Sequence, residues 1–386
     1  MNDFTFNTAA SIVVREGAAL QLAEIIGRRF GKHLLLVTDP GLKAAGLVDP
    51  VVAALIKAGY DVCVFDEVEP DPSRATLNRA VEIGKAHGVT AVVGLGGGSS
   101  LDIAKLAALL LGSGEDLDAT WGVNKATGPR LPLILVPTTA GTGSEVTPVS
   151  IITVGEGEKR GVSSPLIVPD IAVLDVNLTM SLPRHITAYT GVDAIVHAIE
   201  AYSSINANNN PLSRMMACQA LSLLCSHIES AVADGKNRTA RQAMLLGAML
   251  AGQAFGNSPV GAVHALAYPI GGLYHVPHGL SNALVLVEVM RFNLPNAEEA
   301  YAQIAPFAFP DLGHLPVHQR ASLLIEKLQA LTTTLGLPSG LSSVGIPAEV
   351  IPKLAEEAML QQRLLGNNPR PVTRMDAERI YQASYR

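Results

Sequence analysis

The sequence has few cysteines and no excess of basic residues. Its 386 residues include three cysteines, Cys63, Cys218 and Cys225, and no two of them are spaced as a CxxC pair. This pattern is typical of reduced thiols in an intracellular protein, and it argues against a disulfide framework or cysteine-ligated metal. The formal net charge is −6, from 28 basic and 34 acidic residues, so the composition predicts no nucleic-acid partner.

The N-terminal segment and the hydrophobic runs predict neither a signal peptide nor a membrane-spanning helix. The N-terminal segment MNDFTFNTAA is polar, unlike a signal peptide. Uninterrupted apolar segments stay well short of the roughly 20 residues of a membrane-spanning helix. We therefore expect a cytoplasmic protein with no membrane partner. With 48% hydrophobic and 16% charged residues, the chain can form two ordinary domains.

Two patterns alternate in the first half of the chain. Short apolar runs occupy 33–39, 61–67, 90–96 and 132–138, and amphipathic stretches lie near 18–30, 49–59, 74–87 and 101–112. Alternating strands and helices predict a parallel sheet covered by helices on both faces, with ligands at the carboxyl ends of the strands.

Helical spacing dominates the second half. The segments beginning at Ile186, Leu212 and Thr239 are rich in Ala, Leu and Met and repeat with a helical period, and few strand signals remain. We predict an α/β domain over 1–180 and an all-α domain over 181–386, with the boundary near Pro183.

The segment GLGGGSSLDIAK (94–105) joins a predicted strand to a predicted helix. Gly96, Gly97 and Gly98 allow the backbone to approach an anion at the start of that helix. The segment is not a GxGxxG fingerprint, because Ser99 occupies the last glycine position, and it is not a P-loop. A tight packing turn is the alternative interpretation.

Two more loops follow predicted strands. Asp39 ends the first strand, where a carboxylate can accept hydrogen bonds from a ribose 2′-hydroxyl and repel a 2′-phosphate. A helix N-cap is the ordinary alternative for this residue. The segment PTTAGTGSEVTP (137–148) supplies Thr138, Thr139, Thr142 and Ser144, which could wrap a phosphate or form a plain hydroxyl-rich turn.

Histidines cluster in HALAYPIGGLYHVPHG (264–279), whose glycines and prolines should prevent one continuous helix. His264 lies in a helical pattern and His278 begins another, while Asp193 and His197 lie one helical turn apart. One carboxylate and three imidazoles suit Fe²⁺ or Zn²⁺ and leave room for a substrate oxygen. A salt-bridged pair is the alternative for Asp193 and His197.

Three further histidines have weaker claims as ligands. His185 lies at a predicted helix start, and His227 lies in an amphipathic helix. His275 is only three residues from His278, so we expect it near the site without binding the metal.

Four motifs in register resemble the iron-containing (group III) alcohol dehydrogenase family: GGGSSLDIAK, PTTAGTGSEVT, GVDAIVHAIEAY and HALAYPIGGLYHVPHG, with NNPRPVT towards the C-terminus. The resemblance covers almost the whole chain. It implies an N-terminal α/β dinucleotide-binding domain with a parallel sheet, an all-α C-terminal domain, and an active site in the cleft between the two domains.

The resemblance also implies site residues and cofactors. The metal ligands would be Asp193, His197, His264 and His278, holding Fe²⁺ or alternatively Zn²⁺. The cofactor would be NAD, with its pyrophosphate on Gly96, Gly97, Gly98 and Ser99. The remaining cofactor-binding residues would be Asp102, Thr138, Thr139 and Thr142, with Asp39 favouring NAD over NADP.

The chain departs from the family pattern at one position. Many members carry a second histidine four residues after the third ligand, and here that position is Tyr268. A phenol can donate a hydrogen bond but does not shuttle protons near pH 7 as imidazole does. Tyr268 and His275 are the candidate catalytic residues; a packing aromatic is the alternative for Tyr268.

The implied function is reversible hydride transfer between a short-chain primary alcohol, or its aldehyde, and NAD(H), with the metal as Lewis acid. Hydroxyacid–oxoacid transhydrogenase-type and 4-hydroxy acid dehydrogenase activities are alternatives on the same fold. A dehydroquinate synthase-like lyase would need a cluster of Lys and Arg, and 264–279 contains neither. A non-catalytic NAD sensor would not need an open metal position. We expect a homodimer with a small-molecule substrate.

Overall fold

The computed structural model describes residues 3–155 and 158–386, which form two compact units. One unit spans Asn7–Ser181, and the other contains Leu182–Arg386 together with residues 3–6. The first helix of the second unit begins at Arg184, directly after Pro183.

The first unit is an α/β structure. Its strands are β1 Ser11–Val14, β2 His33–Val37, β3 Asp61–Phe65, β4 Ala91–Gly96, β5 Gly122–Val123, β6 Leu133–Pro137, β7 Val149–Val154, β8 Glu158–Ser163 and β9 Ile171–Leu174. Its α-helices are α1 Leu22–Ile26, α2 Pro40–Ala44, α3 Asp49–Lys57, α4 Arg74–Ala86, α5 Gly98–Ser113 and α6 Leu117–Thr120. Six strands form a parallel sheet in the order β1-β9-β6-β4-β2-β3, and β5, β8 and β7 form a smaller sheet. The predicted parallel sheet is therefore confirmed.

Alternating side chains of the central strands enter two separate cores. On β2, Leu35 and Val37 pack with residues of α4 and α5, whereas Leu34 and Leu36 pack with residues of α1 and α3. Since successive side chains of a strand point to opposite faces, a nearly continuous apolar run indicates a sheet covered on both sides. Helices on both faces, as predicted, follow from this pattern.

The strand order reverses between β2 and β4. The chain continues from β2 to its neighbour β3 and then returns to place β4 on the other side of β2. Ligands bind such sheets at the carboxyl ends of the strands where the order reverses. Asp39 follows β2 and the glycine segment follows β4, so both lie at this point of the sheet.

The second unit is helical. Its α-helices are α7 Arg184–Ser203, α8 Pro211–Ala233, α9 Arg238–Asn257, α10 Ala262–Tyr274, α11 His278–Ala308, α12 Val317–Thr334, α13 Ile351–Met359, α14 Gln362–Leu365 and α15 Arg374–Ala383. Residues 182–386, all of which the structure describes, contain no strand. The prediction of an all-α second half is confirmed.

Helix α8 has unusual hydropathy. Within the described residues it is the one helix long and apolar enough to cross a membrane by length and composition, and 44% of its most apolar window is buried. It packs against α7 and α9, and a core helix passes the same test. The sequence predicts a helix from Leu212 but no membrane-spanning segment there, because Ser and other polar residues interrupt its apolar runs.

Proline affects the histidine-rich stretch less than we predicted. Helix α10 continues through Pro269, although this residue lacks the N–H that an internal helical position donates. The helix ends at Tyr274, and the capping residue that follows, His275, adopts a left-handed backbone conformation with φ of 55°. Helix α11 then begins at His278, so the expected break exists but lies at 275–277.

Candidate active site

Three helices bring the four predicted metal ligands together. Asp193 and His197 lie on α7, His264 on α10, and His278 at the first position of α11. One ligand atom from each of the four residues lies within 4.8 Å of all the others. Asp193 Oδ1 is 4.0 Å from Nε2 of His197, 3.8 Å from that of His264 and 3.6 Å from that of His278.

The chemistry and spacing of this group fit a divalent cation. A tetrahedral ion with bonds of about 2.1 Å to N and O ligands holds those atoms about 3.4 Å apart. The measured distances are already close to this value. One carboxylate and three imidazoles are ligands that both Fe²⁺ and Zn²⁺ accept.

Burial is uneven across the group. Asp193, His197 and His264 are buried, whereas the His278 side chain is 42% exposed. Protein thus encloses three of the four residues, and His278 lies on the exposed side of the group. A catalytic metal requires such an open position, while a structural metal is enclosed.

Glu200 is a functional residue that the sequence analysis missed. It is buried on α7, seven positions after Asp193 and on the same helix face. Its Oε2 lies 2.6 Å from Nδ1 of His264, and its Oε1 accepts a hydrogen bond from the Val263 backbone N–H at 2.7 Å. The helical spacing 193, 197, 200 was a signal that could have identified it.

The surrounding charges keep Asp193 ionised. Burial alone would raise the pKa of this carboxyl group, but the electrostatic influence of the neighbouring His197, His278 and His264 and a hydrogen bond from Asn282 lower the pKa below its usual value. An ionised carboxylate is the form that binds a cation.

Aromatic side chains frame the ligands. The His197 ring stacks on Phe255, with centroids 4.3 Å apart, and on His264, with centroids 4.7 Å apart. The Tyr268 ring centroid lies 5.9 Å from that of His278. The structure therefore brings the candidate catalytic residue Tyr268 beside the metal ligands.

The other histidines differ in position. His275 is exposed and ends α10, three residues from His278. His185 contacts the Tyr189 ring edge-on, and Nδ1 of His227 lies 2.9 Å from a carbonyl oxygen of its own helix. The four-residue group does not include His275, His185 or His227.

In the first unit, the glycine segment leaves no room for a side chain at Gly96 or Gly98. A Cβ on Gly98 would lie 2.8 Å from Cγ2 of Thr142, and one on Gly97 would lie 3.4 Å from Cγ2 of Thr139. A Cβ on Gly96 would lie 2.5 Å from Ser100 and 3.5 Å from Oδ2 of Asp39. The structure thus brings the segment between β4 and α5 together with Asp39 and with 137–148, the threonine loop.

Asp39 caps helix α2, which was the alternative interpretation of this residue, and it also contacts α5, the helix that follows the glycine segment. Its Oδ1 accepts a hydrogen bond from the Leu42 N–H at 3.0 Å and caps α2. Its Oδ2 lies 3.4 Å from Oγ of Ser100 on α5. Capping of α2 and contact with a ligand at the same sheet edge are compatible.

The comparisons with known proteins decide the family. Sequence-family models match residues 9–176 as "Iron-containing alcohol dehydrogenase" and residues 187–385 as "Fe-containing alcohol dehydrogenase family, C-terminal". The chain belongs to the iron-containing alcohol dehydrogenase family. The predictions that it is an oxidoreductase, an NAD-dependent alcohol dehydrogenase with an iron-type metal site, are confirmed at the level of the family.

Named relatives of this iron-containing alcohol dehydrogenase match nearly end to end. Long-chain-alcohol dehydrogenase 1 of Geobacillus thermodenitrificans is 39% identical over 96% of this chain and 93% of its own. NAD-dependent methanol dehydrogenase of Bacillus methanolicus is 34% identical over 97% and 98%. A solved 1,3-propanediol oxidoreductase has a TM-score of 0.94 and 33% identity, covering 99% of this chain and 100% of its own.

Asp102 binds other protein groups in this alcohol dehydrogenase. Its Oδ1 accepts a hydrogen bond from Oγ of Ser144 at 2.7 Å, and its Oδ2 accepts one from the Ile151 N–H at 2.9 Å. The carboxylate therefore joins α5 to the threonine loop and to β7. A direct contact of Asp102 with the cofactor stays a prediction. Thr138 is buried at the end of β6 and donates its backbone N–H to Gly96 O.

A buried lysine, also missed by the sequence analysis, fixes the same loop. Lys105 Nζ donates to Oγ of Ser144 at 2.8 Å, Oγ1 of Thr147 at 3.1 Å and the Val149 carbonyl at 2.7 Å. Burial lowers the pKa of Lys105 to about 8, and burial raises the pKa of the neighbouring Glu145 to about 7. The hydrogen bonds of Lys105 hold the threonine loop against α5.

Proposed function

We propose that the protein interconverts a short-chain primary alcohol and its aldehyde, using NAD(H) and a cation held by Asp193, His197, His264 and His278. The convergence of these four side chains carries the proposal. The relatives named methanol dehydrogenase and 1,3-propanediol dehydrogenase support a short substrate. These names also favour a dehydrogenase over the transhydrogenase, hydroxy acid, lyase and sensor alternatives.

The protein's own groups would prepare the site. When bound, the cation supplies Lewis-acid polarisation of the substrate oxygen, and the nicotinamide exchanges a hydride with the carbinol carbon. Glu200 holds His264 with its ligand nitrogen directed at the group, and Phe255 shields His197 from water. The open side at His278 would admit the substrate.

The cofactor would bind at the carboxyl edge of the parallel sheet. Its pyrophosphate would lie on Gly96, Gly97, Gly98 and Ser99, where the first N–H groups of α5 are available. Asp102, Thr138, Thr139 and Thr142 would complete this site, and Asp39 would select NAD. A solved sulfoacetaldehyde reductase from Bifidobacterium kashiwanohense, 28% identical with a TM-score of 0.86 and covering 99% of this chain and 98% of its own, is described in complex with NAD⁺.

Two residues would assist the reaction at the open side. Tyr268 would donate a hydrogen bond to the substrate beside His278. His275, which is exposed, would pass the released proton to solvent.

We further propose that 1–180 is the dinucleotide-binding domain and 181–386 the metal-binding domain, and that the enzyme works as a cytoplasmic homodimer.

Replacement of one ligand tests the function. The protein is purified without oxygen, its metal content is measured, and NAD reduction is followed with alcohols of increasing length. His264→Ala should lose both the metal and turnover, because a buried ligand is removed. His227→Ala, a histidine outside the group, should keep both. A fully active His264→Ala enzyme without metal would reject the proposal.

A further inference from the structure

Asn282 lies at the centre of the ligand group. It is completely buried on α11, one helical turn after His278. Its Nδ2 is 2.6 Å from Oδ1 of Asp193, 3.2 Å from Nε2 of His264 and 3.3 Å from Nε2 of His278. A single amide nitrogen therefore contacts three of the four ligand atoms.

The groups around Asn282 determine which way its amide points. Nδ1 of His264 bonds to Glu200, so Nε2 of that ring carries the lone pair and accepts. Asp193 Oδ1 accepts as well. A flipped amide would place its oxygen 2.6 Å from a carboxylate oxygen of Asp193, and the two negatively polarised oxygens would repel each other.

The amide keeps this orientation at a cost. With Nδ2 directed at the ligands, the carbonyl oxygen of Asn282 is buried and has no hydrogen-bond partner among the described residues. An unsatisfied buried acceptor is unfavourable, because nothing compensates for its loss of hydration. The hydrogen bonds to the ligands must therefore outweigh the lost bond of the oxygen, which indicates that the site determines the conformation of Asn282.

We propose that Asn282 is a positioning residue of the metal site, which orients Asp193 and holds His264 and His278 inward before a cation arrives. The proposal rests on the proposed metal site. Without a donor, these buried lone pairs would face one another, and the side chains would turn to find other partners. The two amide hydrogens offset this repulsion, so the ligand arrangement exists in advance of the ion. A cation would take the single Nε2 lone pairs of His264 and His278 and so replace their contacts with Asn282, whereas Oδ1 of Asp193 has a further lone pair and can keep its hydrogen bond to Asn282 while it binds the ion.

The affinity for a cation tests this inference directly. Metal-free enzyme is titrated with Zn²⁺ against a competing chelator, for the wild type and for Asn282→Ala. Loss of a group that orients metal ligands typically weakens affinity about 10–100-fold, and we expect that range here. Ser281→Ala is the matched control, because Ser281 is equally buried on α11 but bonds to the Val276 carbonyl. We expect the control to bind zinc within about twofold of the wild type.

A second variant keeps the size of the side chain. Asn282→Asp replaces the donor by an acceptor directed at three acceptors, so the metal-free form should melt at a lower temperature. Zinc should then raise its melting temperature by more than it raises that of the wild type. The inference is overturned if Asn282→Ala binds zinc as tightly as Ser281→Ala, or if zinc raises the melting temperature of Asn282→Asp no more than that of the wild type. Wild-type enzyme that binds no zinc would instead overturn the metal site itself.

Discussion

Oε2 of Glu200 lies 2.6 Å from Nδ1 of His264, on the side of the ring away from the other metal ligands. Both residues are buried, and the second carboxylate oxygen is held by the Val263 N–H. A short hydrogen bond to a carboxylate fixes the ring orientation and its tautomer, and raises the basicity of the opposite nitrogen. Glu200 therefore prepares His264 as a ligand without contacting the ion.

Glu200→Gln should weaken metal binding. A glutamine has one acceptor oxygen for two donors, so it cannot satisfy both His264 Nδ1–H and the Val263 N–H. We expect about 10-fold to 100-fold lower zinc affinity, measured by chelator competition. The exposed Glu298 on α11 provides the control, since Glu298→Gln should leave the affinity unchanged. Equal affinities for both variants would contradict the positioning role of Glu200.

Tyr268→Phe should lower turnover without changing metal content. The variant keeps the ring beside His278 and removes only the hydroxyl that would donate to substrate. The loss of one such hydrogen bond corresponds to about a tenfold lower kcat/KM. Tyr274→Phe on the same helix should retain full activity. If Tyr268→Phe is as active as this control, Tyr268 is a packing residue.

Asn368 and Asn293 should contribute jointly to stability. Their side-chain amides exchange two hydrogen bonds, of 2.9 and 2.7 Å, and Asn368 Oδ1 also accepts from the Ala262 N–H at the start of α10. We expect Asn368→Ala to lower the free energy of unfolding by about 3 kcal/mol, because Asn293 is left buried and unsatisfied. Urea denaturation of both single variants and the double variant should give effects that are less than additive.

Asp39→Asn should relax cofactor selectivity. Asparagine still caps α2 through Leu42, so the unfolding midpoint should hardly change. The charge that would repel a 2′-phosphate is lost, and we expect kcat/KM for NADP relative to NAD to rise about tenfold. Steady-state kinetics with both cofactors measure this ratio. An unchanged ratio would indicate that Asp39 serves only as a cap.

Glu145 should make stability depend on pH. Burial raises its pKa to about 7 from 4.5, so the folded protein keeps a proton that the unfolded chain releases. The unfolded state binds fewer protons between these values, and the free energy of unfolding should therefore fall as pH rises from about 4.5 to about 7. Glu145→Gln should lack this component. Urea denaturation of both proteins at several pH values checks the difference, and parallel curves would exclude it.

Local patterns predicted the central fold well. The apolar runs at 33–39, 61–67, 90–96 and 132–138 became β2, β3, β4 and β6 because strands buried on both faces need continuous hydrophobic sequence. The helix expected over 18–30 is instead divided, with α1 limited to Leu22–Ile26, because Gly27 adopts φ of 59°. The strands β1, β5, β7, β8 and β9 were missed; β1 is partly exposed, β5 has only two residues and β9 only four.

For the site, too, some residues could be predicted from local sequence and others could not. Asp193 and His197 could be paired from helical spacing, whereas the addition of His264 and His278 depended on donor chemistry and on the family resemblance. Glu200 and Asn282 were missed because an acid or amide in an apolar helix acquires its role only from the packing of neighbouring helices. Sequence spacing reports neighbours on one helix; it does not report which helices meet.

Helix α10, which carries His264, is held in place by Asn368, a residue that the ribosome adds much later. Asn368 bonds to Ala262, 106 positions earlier, and to Asn293 of the helix that begins with His278. A nascent chain that already contains all four metal ligands still lacks Asn368 and its hydrogen bonds to α10 and α11. The contacts that join α10 to α11 through Asn368 are therefore complete only after the C-terminal segment has been synthesised.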